Sequence, residues 1–274
     1  MYNDYDMELL NHIQEVELMI LKDFVEICEK YGIEYYLIFG TQIGAIRHQG
    51  FIPWDDDIDI MMFREDYEKF LKVMEENPSD KYTIFDSRYN DEYCFQFGRM
   101  SLNGTYWAEY WDKQVSFKLG VHIDLFILDN LPNNNLKRWL HIQRCYILAR
   151  LYPISVLTFD NHSKLVNTVL NFTHKIFNMV GLSPKYFQKR LYNVFTKYNS
   201  DNGEYVTDLT LAERVQFKRT DYKPPKKALF EDCKFNIPNN NDNTLIPIYG
   251  YYMELPPEEE RFNHVLNEID FGKY

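Results

Sequence analysis

No run of 18 apolar residues occurs anywhere in the 274-residue chain, which excludes a membrane-spanning helix of ordinary length. Positive charge is also in short supply. Thirty Lys and Arg stand against 41 Asp and Glu, a formal net charge of −11 with a pI near 5.1. Nucleic-acid binding leaves a basic footprint, and a polybasic anchor needs clustered cations, so neither a nucleic-acid partner nor such an anchor is expected. Local basic clusters such as Lys223, Lys226 and Lys227 fit a solvated surface as well as an anion site. Cysteine is scarce: Cys28, Cys94, Cys145 and Cys233 lie far apart, with no C-x-x-C spacing to hold zinc or form a redox pair. The start, MYNDYDMELL, lacks the basic residues and apolar run of a secretion signal. The expectation is cytoplasmic residence with reduced thiols, at most peripherally associated with a membrane.

What remains is ordinary globular composition, 45% hydrophobic and 26% charged, with aromatics prominent at 17%. The length fits two domains or one large one. Residues 1–31 read as one amphipathic helix, with Leu9, Ile13, Val16, Ile20, Phe24 and Ile27 stepping by three or four and Gly32 as its stop. Strands are expected over 33–39, 57–62, 82–86, 94–100 and 120–128, and helices over 41–49 and 64–77. From 136 to 200 the pattern is helical. Within it Leu165, Val169, Phe172 and Ile176 form an apolar face, read as packing on the core, with docking at a membrane interface as the alternative. After 205 prolines multiply, and 239–243 (NNNDN) reads as an exposed turn. The expected fold class is α/β: a catalytic core over 1–135 and a helical, loop-rich region over 136–274 that packs on it or continues it.

The chemistry concentrates in Trp54-Asp55-Asp56-Asp57-Ile58-Asp59-Ile60. Alternation along a strand puts Asp55, Asp57 and Asp59 on one side and the isoleucines in the core. Carboxylates so close repel, and a divalent cation is the simplest compensation. A calcium loop fits poorly, since its sixth position would be Ile60 and its twelfth Asp66. A solvated acidic turn without metal is the other reading. Asp124 sits in a second apolar run, Val121, Ile123, Leu125 and Ile127, and a neighbouring strand would bring it beside the first acids. Gly40-Thr41 follows a buried strand and offers close backbone approach and free N–H groups to a phosphate. Arg47 and His48 are candidates to reach that phosphate, or else they simply stabilise a helix end.

The stretch FGTQIGAIRHQGFIPWDDDIDIMMFREDYEKF resembles the signature of the LicD family of phosphotransferases, itself similar to nucleotidyltransferases and to the fukutin-type enzymes. GVHIDLFILD (120–129) resembles the family's second acidic strand, and YGYYMELPPEEER (249–261) its C-terminal motif. The last departs from the common Tyr-Gly-Asp-Tyr, because Tyr251 stands at the acid's position. The gap from Gly-Thr to the acidic pair is also somewhat longer than in classical nucleotidyltransferases.

The resemblance implies a nucleotidyltransferase-like mixed sheet flanked by helices, and a divalent metal, Mg²⁺ or Mn²⁺. It implies transfer of a phospho-alcohol, typically phosphocholine from CDP-choline, to a hydroxyl of a glycan, lipid-linked glycan or teichoic-acid precursor, with release of CMP. Asp57 and Asp59 are then the expected catalytic metal ligands, with Asp55 assisting and Asp124 as ligand or base. Gly40 and Thr41 match the phosphate-side turn; Arg47 and Arg99 are candidate phosphate clamps. Tyr35, Tyr36, Trp54 and Trp107 are candidates to face an ammonium, with core packing the commoner fate. Nucleotidyl transfer with release of pyrophosphate, and a non-catalytic nucleotide- or glycan-binding role, are the competing readings.

Overall fold

The computed structural model describes residues 6–201, 203–210, 214–261, 263 and 267–274; the first five residues of the expected N-terminal helix lie outside them. Helix α1 (Met7–Tyr31) begins where the Asp6 carboxylate accepts the Leu9 N–H, and ends at Gly32, whose φ of 61° is the left-handed cap glycine adopts without strain. A two-residue strand β1 (Tyr36–Leu37) leads into α2 (Phe39–Ile43), which runs on as one π-turn, residues 44–48. The expected strand over 33–39 is thus cut short: Gly40 and Thr41 lie inside a helix that starts one residue before them. Phe39 opens it at φ 50°, a conformation that costs a non-glycine residue energy and is held by its surroundings.

Strand β2 (Asp59–Phe63) passes straight into α3 (Arg64–Glu76), followed by β3 (Tyr82–Phe85), β4 (Gly98–Leu102), β5 (Tyr106–Ala108) and the ten-residue β6 (His122–Leu131). The helical segment holds α4 (Asn135–Val156), α5 (Lys164–Met179) and α6 (Pro184–Phe195). The C-terminal part is less irregular than its prolines suggest. It contains β7 (Tyr205–Asp208), β8 (Phe217–Lys218), α7 (Arg219–Tyr222), β9 (Lys226–Phe230), β10 (Cys233–Ile237), α8 (Asn241–Tyr249) and β11 (Glu268–Asp270). Of residues 239–243, expected as a turn, Asn241 to Asn243 instead start α8, because the Asn240 side chain accepts the Asn243 N–H as an N-cap.

The architecture is α/β. Seven strands form one mixed sheet in the order β1-β2-β6-β4-β3, with β7 continuing on β6 and β8 on β7. Among the described residues only β2 and β6 pair in parallel; their partners face each other from Asp59↔Asp124 to Phe63↔Leu128. Beyond the acids at their heads these two central strands run mainly apolar, from Ile60 to Phe63 and from Leu125 to Leu128, because both sheet faces are covered. One face packs Ile58, Ile60, Met62, Ile123, Leu125 and Ile127 against Ile20 and Phe24 of α1 and Phe70 of α3. The other packs Met61, Phe63, Phe126 and Leu128 with Tyr36 and Tyr222. Tyr35 and Tyr36 are therefore core residues, at 1% and 0% exposure, and neither faces a ligand.

One expectation is overturned. No residue of α5 is buried, and the face read as core packing points outward.

Candidate active site

The register of the sheet assembles the site. Arg99 on β4 stands opposite Asp124 on β6, and Asp124 opposite Asp59 on β2. Partners in register project to the same face, so the three side chains form a row across three strands. Arg99 Nε donates to Asp124 Oδ1 at 2.9 Å, and its Nη1 donates to Glu109 Oε1 at 2.7 Å. Thr41 Oγ1 accepts the Asp59 N–H at 2.8 Å, which ties α2 to the head of β2. Gln14 on α1 donates from Nε2 to the Asp55 carbonyl at 2.8 Å and fixes the loop before β2. Along that loop Asp55 and Asp57 are partly open while Asp56 and Ile58 are buried, the alternation of an extended chain.

Two clefts meet at Asp57, which lines both. The larger, about 550 Å³, runs past Gly40, Trp54, Asp55 and Asp59 to the segment from Tyr249 to Glu260. The smaller, about 280 Å³, holds Glu17, Asp56, Arg99, Trp107, Glu109, Tyr110, His122 and Asp124. His122 Nδ1 lies 2.9 Å from the Gly120 carbonyl, which can only accept, so that nitrogen carries a proton. Its Nε2 is 3.5 Å from Asp124 Oδ1.

Negative charge dominates. Burial, then Asp57, Asp124 and Asp55, push the Asp59 carboxyl well above the usual range, with Arg99 opposing. Glu17 is 1% exposed; burial and then Asp57, Asp56, Asp55 and Asp124 raise its carboxyl strongly, and its Oε2 is buried without a hydrogen-bond partner among the described residues. Burial alone would pull the Arg99 guanidinium down, but Asp124 and Glu109 outweigh it and hold the cation firmly charged.

Other nominated residues, Arg47, Trp54 and Arg99, line the clefts but spend their contacts on the protein itself. Arg47 Nη1 donates to the carbonyls of Tyr252 and Glu254 at 2.6 and 3.0 Å, and its Nε donates to His48 Nε2. This pair braces the C-terminal segment over the larger cleft. Trp54 has Arg261 stacked over its ring at 4.9 Å. Arg99 is locked between two carboxylates. Of the four aromatic candidates, Trp107 lines the smaller cleft. Sequence reasoning passed over Glu17, Glu109, Tyr110 and His122. Glu17 alone carries a local signal, an acid four residues after Ile13 and three before Ile20 on the apolar stripe of α1.

The LicD/FKTN/FKRP nucleotidyltransferase-domain family matches residues 32–162, which contain the acidic loop, Arg99 and Asp124. The lipopolysaccharide cholinephosphotransferase LicD of Haemophilus influenzae is 30% identical over 275 residues, covering 94% of this chain and 97% of that one. The chain belongs to the LicD family. It is an enzyme, a LicD-type phosphotransferase. Shorter matches join it to the ribitol 5-phosphate transferase FKRP of mouse and human, each 43% identical over 42 residues, 15% of this chain and 8% of that protein. An uncharacterized protein of Rickettsia prowazekii, RP689, is 38% identical over 72 residues, 26% of this chain and 27% of that one.

In this LicD-family member the three motif segments meet around Asp57: the signature loop, the β6 strand and the Tyr249–Glu260 wall. Gly40 has a steric reason to be glycine. A methyl group there would sit 2.6 Å from Asp55 Oδ2, the end of a flexible side chain. Alanine suits the helical backbone at this position, so Gly40→Ala should leave the melting temperature within about 2 °C while turning Asp55 away from the cleft. Turnover should fall about tenfold; unchanged turnover would mean that Asp55 takes no part in the reaction.

Proposed function

We propose that the protein transfers phosphocholine from CDP-choline to a hydroxyl of a cell-surface glycan or teichoic-acid precursor, releasing CMP, in a reaction that depends on Mg²⁺ or Mn²⁺. Family membership supports phospho-alcohol transfer. The observation that carries the finer reading is the position of Asp57 on the wall common to two unlike clefts. The larger has the size of an ordinary small-ligand site and suits the cytidine diphosphate end. The smaller is lined by five carboxylates and by Trp107 and Tyr110, around one arginine already paired. Anionic and aromatic walls together suit a quaternary ammonium.

The donor set fits a hard divalent cation. Buried Asp59 is under strong repulsion from Asp57, Asp124 and Asp55, an excess of negative charge that an oxygen-seeking cation would relieve. No group of three or more His, Cys, Asp or Glu among the described residues forms a ready-made cage. That suits Mg²⁺, which binds through one or two carboxylates and completes its shell with water and substrate phosphate. Asp57 and Asp59 would hold it, and when bound it neutralises the diphosphate and the charge that develops on the leaving CMP. Thr41 keeps Asp59 in place through its backbone N–H. Asp124, held by Arg99 through Oδ1, acts as the orienting third carboxylate. The acceptor hydroxyl attacks the phosphorus distal to cytidine: its O–H bond breaks as the proton passes to Asp124, its oxygen–phosphorus bond forms, and the bond to the CMP oxygen breaks.

Thermal shift with CDP-choline, CDP-ribitol, CTP and CMP, each with and without Mg²⁺, tests the donor. A ligand at 100 times its dissociation constant stabilises the fold by about 2.7 kcal/mol. The largest metal-dependent shift is expected with CDP-choline. Tyr110 is half exposed, so Tyr110→Ala should keep the fold while raising KM for CDP-choline about tenfold and leaving CMP binding unchanged. A larger shift with CTP, and pyrophosphate rather than CMP as product, would replace this reading with nucleotidyl transfer.

A further inference from the structure

Helix α5 is mounted with its apolar side outward. Leu165, Val169, Phe172, Ile176 and Met179 fall on one stripe at steps of three and four. Leu165 is 76% exposed, Phe172 65% and Met179 78%. The side turned toward the protein is largely polar. Asn171 exchanges hydrogen bonds with the Phe159 backbone in both directions, and His174 Nδ1 meets the Ile154 carbonyl at 2.7 Å. Phe177, whose ring meets that of Phe187 at a tilt of 38° with centroids 5.1 Å apart, is its aromatic anchor. An amphipathic helix that spends its polar groups on the protein and presents its apolar stripe to the surroundings is built to be covered by something else. Helix α4 adds Leu136, Trp139, Leu140 and Ile147 in a second exposed row.

Charge identifies the cover. Residues 136–200 contain ten Lys or Arg and a single acid, Asp160, in a chain whose remainder has 20 basic and 40 acidic residues. The net charge of −11 conceals this division. All ten but Arg138 are exposed. Among the described residues, only Lys185 of the ten has an acidic partner, Asp91 at 3.7 Å. Lys164 and Lys175 lie on α5 itself, beside the stripe. No helix among the described residues is long and apolar enough to cross a membrane, so the stripe would lie in an interface rather than span it.

We infer that the α4–α5 face docks the enzyme on an anionic lipid bilayer, with Leu165, Phe172 and Met179 entering the headgroup boundary and the surrounding lysines and arginines meeting the lipid phosphates. A second copy of the chain is the poorer occupant, because it would bring like charge against like. The inference is independent of the donor and of the metal.

Co-sedimentation of the full chain with vesicles tests it. Binding to vesicles of phosphatidylglycerol and phosphatidylethanolamine should exceed binding to phosphatidylcholine at least tenfold and weaken as NaCl is raised. Leu165→Asp with Phe172→Asp should lower the partition coefficient at least tenfold, with the melting temperature and turnover on a soluble acceptor unchanged. Lys164→Glu with Lys175→Glu should lower it on anionic vesicles alone. Equal binding to both vesicle types, or binding indifferent to the Asp pair, would overturn the inference. So would absence of vesicle binding together with a dimer, seen by analytical ultracentrifugation, that the Asp pair dissociates.

Discussion

Replacing Asp59 with asparagine should leave a folded protein that melts higher than the parent without metal and turns over at least a thousandfold more slowly. Ordinarily a buried polar residue costs stability when changed. Here the native carboxylate is the destabilising group. It is 7% exposed, and burial together with Asp57, Asp124 and Asp55 drives it well above its usual range. Asparagine keeps the shape and the backbone N–H that Thr41 accepts, and removes the charge. Relief of about 1 kcal/mol corresponds to a rise of roughly 2–4 °C in a protein of this size.

The pH dependence has a definite sign. A carboxyl raised in the fold binds its proton more tightly there than in the unfolded chain, so its stability cost is present above the folded pKa and fades as pH falls toward the unfolded value. The advantage of Asp59→Asn should therefore be largest at neutral and alkaline pH and shrink toward pH 4. Added Mg²⁺ should raise the parent's melting temperature and not the variant's. Asp57→Asn, at a partly open position, should lose turnover equally with little change in melting temperature. Calorimetry with EDTA and with Mg²⁺, beside an assay of CMP release, reads all four outcomes. A variant that melts lower and keeps its activity would make Asp59 a structural acid.

The acids of this site were legible because an aspartate in an apolar strand is conspicuous from its neighbours alone. Asp59 sits among Ile58, Ile60 and Met61 and Asp124 among Ile123, Leu125 and Phe126, so the sequence marks both as exceptions, and parallel pairing of their strands brings them side by side. Helices α1 and α3 and strands β2, β3 and β6 were legible for the same reason, that periodicity is local, whereas β5 was not expected and the strand at 33–39 shrinks to two residues. What escaped depends on partners distant in sequence. Arg47 is spent on carbonyls of residues 252 and 254, and nothing near Arg47 announces that. Gly40 and Thr41 were read as a turn because glycine after a β-branched run usually is one. Here the π-turn and the packing of α2 against α8, where Gln42 Nε2 reaches Asn241 and Thr244, carry the helix through it. For α5 the periodicity correctly signals an apolar stripe. Amphipathicity states that a face avoids water; it does not state whether protein or lipid covers it.

Arg99 separates two roles that a sequence cannot distinguish. As a phosphate clamp it would be replaceable at little cost to the fold and at great cost to donor binding. Its geometry points the other way: the side chain is 8% exposed, paired with Asp124 at 2.9 Å and Glu109 at 2.7 Å, and stacked over Phe95 at 4.4 Å. Removing one partner of a buried ionic cluster strands the others, which typically costs 3–5 kcal/mol. Arg99→Met should therefore lower the melting temperature by about 10 °C. Lysine keeps the charge but loses the fork that spans both carboxylates, so Arg99→Lys should fall between parent and Met. The deciding variant adds Glu109→Gln and Asp124→Asn to Arg99→Met. With no carboxylate left stranded, more than half of the lost stability should return while turnover stays absent, because the carboxylate that orients the site is gone. If Arg99→Met instead melts like the parent and shows only a raised KM for the donor, the arginine is a clamp on phosphate and its two ion pairs are incidental.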